Sequence, residues 1–265
     1  LKDTSLRGID LLEGVCRGRG FLMKGNVCDI DRGCMVVLDE FRSGKLGRLT
    51  LESPATEAPQ RIKFKGAADE AKEAPHGAEE LFETDRPFIE QGFVVAGMDE
   101  VGRGPLAGNV VVACVVMPTE PLLEWVDDSK KLSESRREKV YDEILSMARY
   151  VGIGQIAPAE IDEINILEAT RKAMRKAAAQ VPADVFLIDA VTKLGLNGTE
   201  ISIIKGDATS YAIAAASIVA KVTRDRQMIE LDRLHPEYGF AKHKGYGTPQ
   251  HIEALRKYGP LPEHR

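Results

Sequence analysis

Two adjacent acids, Asp99 and Glu100, are the first residues of the sequence whose types and spacing favour chemistry. They follow an apolar run at residues 93–95, which predicts a strand, and they open a glycine-rich turn before a second predicted strand at residues 109–117. A buried strand does not tolerate an unpaired carboxylate, so an acid pair at its end needs a cation or solvent to balance its charge. The alternative interpretation is a solvated surface turn.

Two further acids, Asp189 and Asp207, lie at positions where they can join this pair, and a third, Asp225, has a simpler interpretation. Asp189 ends a buried strand predicted at residues 184–189. If the two strands are neighbours, their acids converge, because ligands of open α/β sheets gather at the carboxyl ends of strands. Asp207 directly precedes a predicted helix, where an N-cap role is an equal alternative. Asp225 lies inside that helix between two arginines, which favours an ordinary surface ion pair.

Four carboxylates without histidine or cysteine form an oxygen site that suits Mg²⁺ or Mn²⁺ better than zinc. Two such ions about 4 Å apart can activate a water and stabilise the leaving oxygen of an in-line phosphoryl displacement. The predicted substrate is therefore a phosphodiester or a phosphoanhydride. The predicted ligands are Asp99, Glu100, Asp189 and Asp207.

Other groups suit the backbone of a nucleic acid. The run at residues 102–104 offers unhindered main-chain amides and one guanidinium. Two lysines at residues 130–131 precede a predicted helix N-cap, and the basic loop at residues 242–248 carries an aromatic side chain of the kind that packs on sugars or bases. Each group alone is a weak signal, and their combination indicates nucleic-acid binding. The candidate contacts are Gly102, Arg103, Gly104, Lys130 and Tyr246.

The elements that must position these groups alternate between strands and helices from residue 93 onward. Short apolar runs predict strands, and apolar residues at helical spacing predict helices. This order predicts an α/β fold in which helices pack on the faces of a sheet. Strands are predicted at residues 93–95, 109–117, 150–156, 184–189 and 201–204, and helices at residues 134–148 after the N-cap Ser133, 158–178 and 208–234.

Composition limits the class of protein. A chain of 265 residues with 43% apolar residues can hold one large domain, or a medium domain with an appendage. It has no run long enough to span a bilayer and no charged-then-apolar leader, which predicts a cytoplasmic protein without membrane contact. The four cysteines lack C-x-x-C spacing, so reduced thiols are expected rather than a zinc site or disulfides. Most of the net charge of −5 comes from residues 53–92, with nine acids and five bases, which leaves room for a basic surface elsewhere.

Seven motifs follow one another in the order of one known family. They are G-M-D-E-V-G-R-G-P-L-A-G at 97–108, D-S-K-K-L-S at 128–133, I-D-E-I-N-I-L at 161–167, L-I-D at 187–189, K-G-D at 205–207, A-A-A-S-I-V-A-K-V-T-R-D at 214–225 and G-F-A-K-H-K-G-Y-G-T at 239–248. On these motifs, residues 93–265 resemble bacterial ribonuclease HII. The resemblance implies an RNase H-like fold, with a mixed central sheet flanked by helices and a C-terminal helical part. It also implies cleavage of the RNA strand of RNA/DNA hybrids and of the 5′ side of single ribonucleotides embedded in duplex DNA, leaving 5′-phosphate and 3′-hydroxyl ends.

The resemblance also implies roles for single residues. The run at residues 102–104 would read the ribose 2′-hydroxyl through backbone contacts, Tyr246 would pack on the sugar just past the RNA-to-DNA junction, and Lys130 would contact phosphate. Only the 2′-hydroxyl distinguishes RNA from DNA at a single residue. Ala190 stands where many family members have glycine, and its methyl group is tolerated unless the backbone there needs a positive φ. The metal-binding roles fall on Asp99, Glu100, Asp189 and Asp207, and Asp225 stays structural or peripheral.

The first 92 residues differ from the rest. Residues 1–52 are predicted to form a small, partly helical appendage. Their motifs R-G-F-L at 19–22, D-I-D at 29–31 and E-F-R-S-G-K-L-G-R at 40–48 resemble the C-terminal end of YlqF-type ribosome-assembly GTPases, but no GTPase motif is present. Residues 53–92 are rich in alanine, glutamate, proline and glycine and are predicted to be a disordered or loosely helical linker, because they bury too little apolar surface to offset the entropy of ordering.

Together these features predict a monomeric, metal-dependent endoribonuclease with its catalytic domain at residues 93–265. One alternative is a related nuclease of the same fold that chooses another substrate. An alternative from another class is a binding protein, in which residues 1–52 dock on ribosomal RNA and the acidic site is vestigial. The presence of every acid that two-metal chemistry needs argues against this second alternative.

Overall fold

The structure of the protein is a computed structural model that describes residues 22–23, 27–28, 77–127, 129–130 and 132–265. The chain divides into two units, residues 1–69 and residues 70–265. In the first unit, strands β1 (Leu22–Met23) and β2 (Val27–Cys28) form an antiparallel pair. The rest of the predicted appendage at residues 1–52, and the GTPase resemblance with it, lies outside the described residues.

The second unit contains five strands and seven helices within its described residues. The strands are β3 (Val95–Val101), β4 (Val110–Val116), β5 (Tyr150–Ile156), β6 (Val185–Asp189) and β7 (Thr199–Ile203). The helices are α1 (Ala78–Ile89), α2 (Glu134–Met147), α3 (Pro158–Ile164), α4 (Ile166–Ala178), α5 (Tyr211–Leu234), α6 (Phe240–His243) and α7 (Pro249–Tyr258), with a short 3₁₀ turn at Gly206–Ala208. Within the described residues, none of the helices combines the length and the apolar character needed to cross a membrane.

The five strands form one mixed sheet in the order β5-β4-β3-β6-β7. The pairs β5–β4 and β4–β3 are antiparallel, whereas β3–β6 and β6–β7 are parallel. The predicted mixed sheet with flanking helices is confirmed. The parallel pairing of β3 with β6 is the feature that matters for function, because it directs the carboxyl ends of these two strands to the same edge of the sheet.

Each face of the sheet is covered by helices. Alternate residues of β4 point to opposite faces, as the pleat of a strand requires. One set packs against α4, and the other, Ala113 and Val115, packs against α5. Helix α5 approaches β3 so closely that a Cβ on Gly97 would lie 2.0 Å from the carbonyl carbon of Ala212. Only a glycine at this position allows α5 to reach the sheet.

The helix predicted at residues 158–178 is instead two helices, α3 and α4, and the prediction of one helix is wrong. The chain turns at Asn165, whose φ of 67° lies outside the right-handed helical region. The Asn165 side-chain oxygen accepts hydrogen bonds from Leu167 N (3.0 Å) and Glu168 N (3.1 Å), so it caps the start of α4.

Helix α1 lies within residues 53–92, so residues 78–89 form a packed helix and not the disordered or loosely helical linker that was predicted. Leu81 and Phe82 are buried, so the helix has an apolar surface to pack on. The buried carboxylate of Asp85 accepts hydrogen bonds from Ser210 Oγ and Ala212 N, both at 2.7 Å. These two donors belong to the N-terminal end of α5, which α1 therefore caps. Residues 53–76 lie outside the described part of the chain.

Candidate active site

Asp99 and Asp189 meet because β3 and β6 are parallel neighbours. Met98 is paired with Ile188, so the next residue on each strand is one of these acids. The predicted strand bounds need correction, since β3 begins at Val95 and runs through both Asp99 and Glu100 to Val101. Strand β4 pairs with the backbone of both acids, so β3 continues through them and does not end in a turn.

Asp207 joins the two strand acids from the 3₁₀ turn. The backbone N–H of Gly206 donates to Asp189 Oδ1 at 2.8 Å and fixes the turn against β6. Asp99, Asp189 and Asp207 then each offer a carboxylate oxygen, and these oxygens lie within 4.8 Å of one another. Asp207 is not the N-cap of the following helix, because that helix starts at Tyr211 and Ser210 caps it.

Glu100 lies beside this group but is not part of it. Its Oε1 accepts a hydrogen bond from Arg103 Nη1 at 2.9 Å. Its Oε2 is buried and has no hydrogen-bond partner among the residues that the structure describes. A buried carboxylate oxygen without a donor is unfavourable unless a cation balances it. The oxygen-only donor set and this unsatisfied atom both fit a hard divalent cation.

The pKa values of the two β3 acids reflect the same accumulation of negative charge. Burial, followed by the charges of Glu100 and Asp189, raises the pKa of Asp99 well above its usual range. Burial also raises the pKa of Glu100 to about 7, although the guanidinium of Arg103 opposes this shift. Lys130 supplies one positive charge from the rim, with its Nζ 2.7 Å from Asp207 Oδ2. A bound cation would offset the cost of ionising these buried groups.

The residues that contact Asp99 from the side of α5 were not predicted from the sequence. Ser217 of α5 hydrogen-bonds to Asp99, which lowers the pKa of that carboxyl against the larger effect of burial. Ser217 Oγ also lies 2.9 Å from Ser129 Oγ, and both serines are buried. Arg137 of α2 donates to the carbonyls of Ser129 (2.7 Å) and Leu132 (2.6 Å) and so holds this loop in place. The only available signal was the presence of both serines within the quoted motifs.

The predicted substrate contacts form a second group next to the acids. A Cβ on Gly104 would lie 3.5 Å from Tyr246 Cε1, so the tyrosine ring lies against this glycine. Leu106 N donates to Gly245 O at 2.8 Å and joins the two loops. Gly102 has a φ of 95°, and a side chain there would meet Asn109 O at 2.5 Å. The structure therefore brings Gly104 and Tyr246 together, with Gly102 in the same loop against Asn109, while Arg103 contacts Glu100 and Lys130 contacts Asp207.

Arg224 and Asp225 are buried, and the prediction of a surface ion pair is wrong. Arg224 is fully buried and donates to the carbonyls of Ala107 (2.9 Å), Asn109 (3.0 Å) and Lys244 (3.0 Å). Asp225 instead pairs with Lys221 Nζ at 2.6 Å. One guanidinium thus connects the glycine-rich loop to the loop that carries the tyrosine, because its planar fork presents several donors at once.

Comparison with known proteins is consistent with this geometry. Residues 96–265 match the family described as Ribonuclease HII. A ribonuclease HII from Ruminiclostridium cellulolyticum is 52% identical over 190 residues, which cover 71% of this chain and 74% of that protein.

Solved structures show the same likeness. The ribonuclease H2 from Pyrococcus horikoshii OT3 matches with a TM-score of 0.55 and 28% identity over 64% of this chain and 92% of that one. The RNase HII chain of the PCNA:RNase HII complex from Archaeoglobus fulgidus matches with a TM-score of 0.57 and 27% identity over 65% of this chain and 93% of that one. The architecture described above is therefore the RNase H-like fold.

Proposed function

The chain belongs to the ribonuclease HII family, and from this premise we propose that it is a metal-dependent endoribonuclease that cleaves the RNA strand of RNA/DNA hybrids. We further propose that it cuts on the 5′ side of single ribonucleotides embedded in duplex DNA and leaves 5′-phosphate and 3′-hydroxyl ends. The observation that carries the proposal is the convergence of Asp99, Asp189 and Asp207 oxygens within 4.8 Å at one edge of the sheet.

The three aspartates, together with Glu100, would hold Mg²⁺ or Mn²⁺, in a site for two ions. When bound, such ions activate water and stabilise the leaving oxygen of a phosphodiester. The chain supports this chemistry in two ways. The Gly206 N–H and the Ser217 hydroxyl hold Asp189 and Asp99 in place, and burial excludes water that would compete for their charges.

The neighbouring glycine-rich loop would recognise the ribose. The main chain at Gly102, Arg103 and Gly104 would contact the 2′-hydroxyl, since glycines let a ligand approach backbone amides closely. Tyr246 is 46% exposed and lies against Gly104, which suits a ring that packs on a sugar. Lys130 would contact phosphate, because its side chain is 77% exposed while its Nζ lies 2.7 Å from the buried Asp207 carboxylate.

Replacing one acid by its amide tests the metal site. We expect Asp99→Asn, Asp189→Asn and Asp207→Asn each to lower kcat on an RNA/DNA hybrid by about a hundredfold or more, because a neutral amide binds divalent cations weakly and the ions supply several kcal/mol. Affinity for the hybrid, measured by fluorescence anisotropy without metal, should change by less than about threefold, since the backbone and aromatic contacts remain.

The matched control is Asp142→Asn, the same chemical change on an exposed position of α2. It should leave kcat and the affinity unchanged. An aspartate variant of the site that retains the wild-type kcat would remove that residue from the proposed centre.

Every residue assigned a role here lies on one chain, and we propose that a single copy is active. Light scattering of the protein as it elutes from a size-exclusion column measures its molar mass, and the mass of one chain is expected. We also propose that the protein works in the cytoplasm. Ribosome association through residues 1–52 belongs to the binding-protein alternative that the acids argue against, and those residues lie almost entirely outside the described part of the chain.

A further inference from the structure

Three histidines pack together behind the loop that carries Tyr246. The rings of His243 and His251 stack with centroids 4.5 Å apart and planes 14° apart. His264, near the end of the sequence, lies 5.2 Å from the His251 ring. Phe240 contacts all three rings at 5.4 to 5.8 Å. His243 and His251 are buried, and none of the three has a role in the proposed chemistry.

The hydrogen bonds of His251 and His264 fix where each proton lies. At one end, the Tyr246 carbonyl can only accept, so His251 Nδ1, at 2.9 Å, carries a proton and donates it. At the other end, the Leu261 N–H can only donate, so His264 Nδ1, at 2.9 Å, is unprotonated. Neutral His264 then carries its proton on Nε2 and donates to the bare Nε2 of His251 at 3.0 Å. The Tyr246 carbonyl and the Leu261 N–H therefore lead to the same assignment, in which His264 donates to His251.

This chain of hydrogen bonds is complete only when both rings are neutral. A second proton on His251 would place two N–H groups against each other, and one on His264 would face the Leu261 N–H. Burial, the largest effect on each ring, lowers the pKa of both histidines, which favours the neutral forms. The two rings therefore connect Leu261 rigidly to the backbone of Tyr246.

The segment that contains His264 also holds the glycine-rich loop. Glu263 O accepts from Gly108 N at 2.8 Å, and Arg265 N donates to Leu106 O at 3.0 Å. The Arg265 guanidinium donates to Gly102 O. The segment at residues 261–265 thus contacts the backbone on both sides of the proposed ribose site, directly at Gly102 and through two histidines at Tyr246.

We propose that His251 and His264 are positioning residues that fix the Tyr246 backbone, and through it the ring against Gly104, for binding of the ribose at the junction. The proposal rests on the proposed function, because it assigns the tyrosine to the substrate. Neither histidine touches the substrate. Their effect is therefore expected on KM, with kcat determined by the acids.

Two replacements of His251 separate the two ends of its ring. The amide of asparagine occupies the place of Nδ1, so His251→Asn can still donate to Tyr246 O. The amide of glutamine occupies the place of Nε2, so His251→Gln keeps only the contact with His264. We expect His251→Gln to raise KM for the hybrid by about tenfold, the usual effect of leaving a carbonyl without its donor, and His251→Asn by about twofold, with kcat of both within about twofold of wild type. Equal KM values for the two variants would overturn the proposal.

A Tyr246→Ala background tests whether the effect passes through the tyrosine. There, His251→Gln should change KM by less than about twofold, because coupled residues are not additive. A second tenfold increase in this background would overturn the proposal. Anisotropy measurements of hybrid binding give the same comparison without cleavage, so a protein that binds but never cleaves counts against the proposed function alone.

The wild-type protein offers a test that needs no variant to fold. Nitrogen-15 spectra of labelled histidine distinguish the two neutral tautomers and the imidazolium. At pH 7.5 we expect His251 as the Nδ1–H form and His264 as the Nε2–H form. The opposite tautomers, or a charged ring at either position, would overturn the proposed direction of donation.

Discussion

Ala190 adopts a backbone conformation that suits glycine better than alanine. It directly follows Asp189, its φ is 52°, and Val191 N donates back to Asp189 O at 2.7 Å across it. The positive φ that makes a methyl group unfavourable after Asp189 is therefore present. We expect Ala190→Gly to raise the free energy of unfolding by about 1 kcal/mol, measured by urea denaturation, because a left-handed conformation is unfavourable for residues with a Cβ.

The control for this substitution is Ala148→Gly, at the end of α2, where φ is −55°. Glycine brings no conformational relief there, and a loss of about 0.5–1 kcal/mol is expected from its greater freedom in the unfolded chain. If Ala190→Gly also lost stability, the turn after Asp189 would not be strained.

Single residues with distinctive chemistry were the easiest to predict. The convergence of Asp99 and Asp189 could be predicted because each acid directly follows an apolar run, and their role as metal ligands stays a proposal. Arg224 and Asp225 were misjudged, since an arginine and an aspartate in a helix are usually exposed. The three carbonyls that bind Arg224 come from loops far away in the sequence, and no local pattern reveals them.

The contact between α5 and β3 depends on the missing side chain of Gly97. A Cβ there would lie 2.0 Å from Ala212 C and 2.3 Å from Ile213 N, both backbone atoms that cannot move without shifting the whole helix. Helix α5 also carries Ser217, which supports Asp99. We expect Gly97→Ala to lower the free energy of unfolding by about 3 kcal/mol or more, as overpacking of a rigid contact does.

Urea denaturation of Gly97→Ala measures this loss, and kcat on a hybrid under folding conditions shows whether the acids are displaced. A variant within about 0.5 kcal/mol of wild type, the usual range of neutral substitutions, would mean that α5 packs on the sheet differently.

Elements with strong periodicity were predicted well, and their ends less so. The helix α2 begins as expected after Ser133, whose hydroxyl accepts from Arg136 N. The break at Asn165 was missed because the apolar spacing of α3 continues into α4, and that spacing does not reveal the positive φ and the side-chain cap of Asn165. The extent of β3 was missed because its two acids suggest a turn, whereas β4 pairs with the backbone of both.

Helix α1 packs with the catalytic unit, the folded part of the chain that carries the acids. This unit therefore begins before residue 93, its predicted start. Its Asp85 accepts from Ser210 and Ala212 at the start of α5, and Leu81 and Phe82 are buried. We expect a protein lacking residues 1–76 to retain kcat/KM on a hybrid within about twofold. Removal of residues 1–92 should lower the free energy of unfolding by about 3 kcal/mol or more, because two buried apolar side chains and the acceptor of two helix-terminal donors are lost.

Hybrid cleavage and urea denaturation of the two truncated proteins test these two expectations. Equal stability would mean that α1 contributes nothing to the catalytic unit. A loss of cleavage with residues 1–76 alone would assign a catalytic contribution to the segment resembling a GTPase.

At the scale of the whole molecule, the alternation of elements was enough to predict an α/β sheet with helices on both faces. The convergence of the acids depended on β3 and β6 being neighbours, and strand order is a property of the folded chain that periodicity does not contain. The linker prediction failed at α1 because composition was averaged over 40 residues, although a short amphipathic segment lay at its end.

The most direct test of the central claim is cleavage of an end-labelled DNA duplex that contains one ribonucleotide, in Mg²⁺, in Mn²⁺ and in chelator, with the cut mapped to the nucleotide. We expect a cut on the 5′ side of that ribonucleotide with at least one of the two metals, none in chelator and none in an all-DNA duplex. The folded protein failing to cut with either metal, or cutting equally well in chelator, would contradict it.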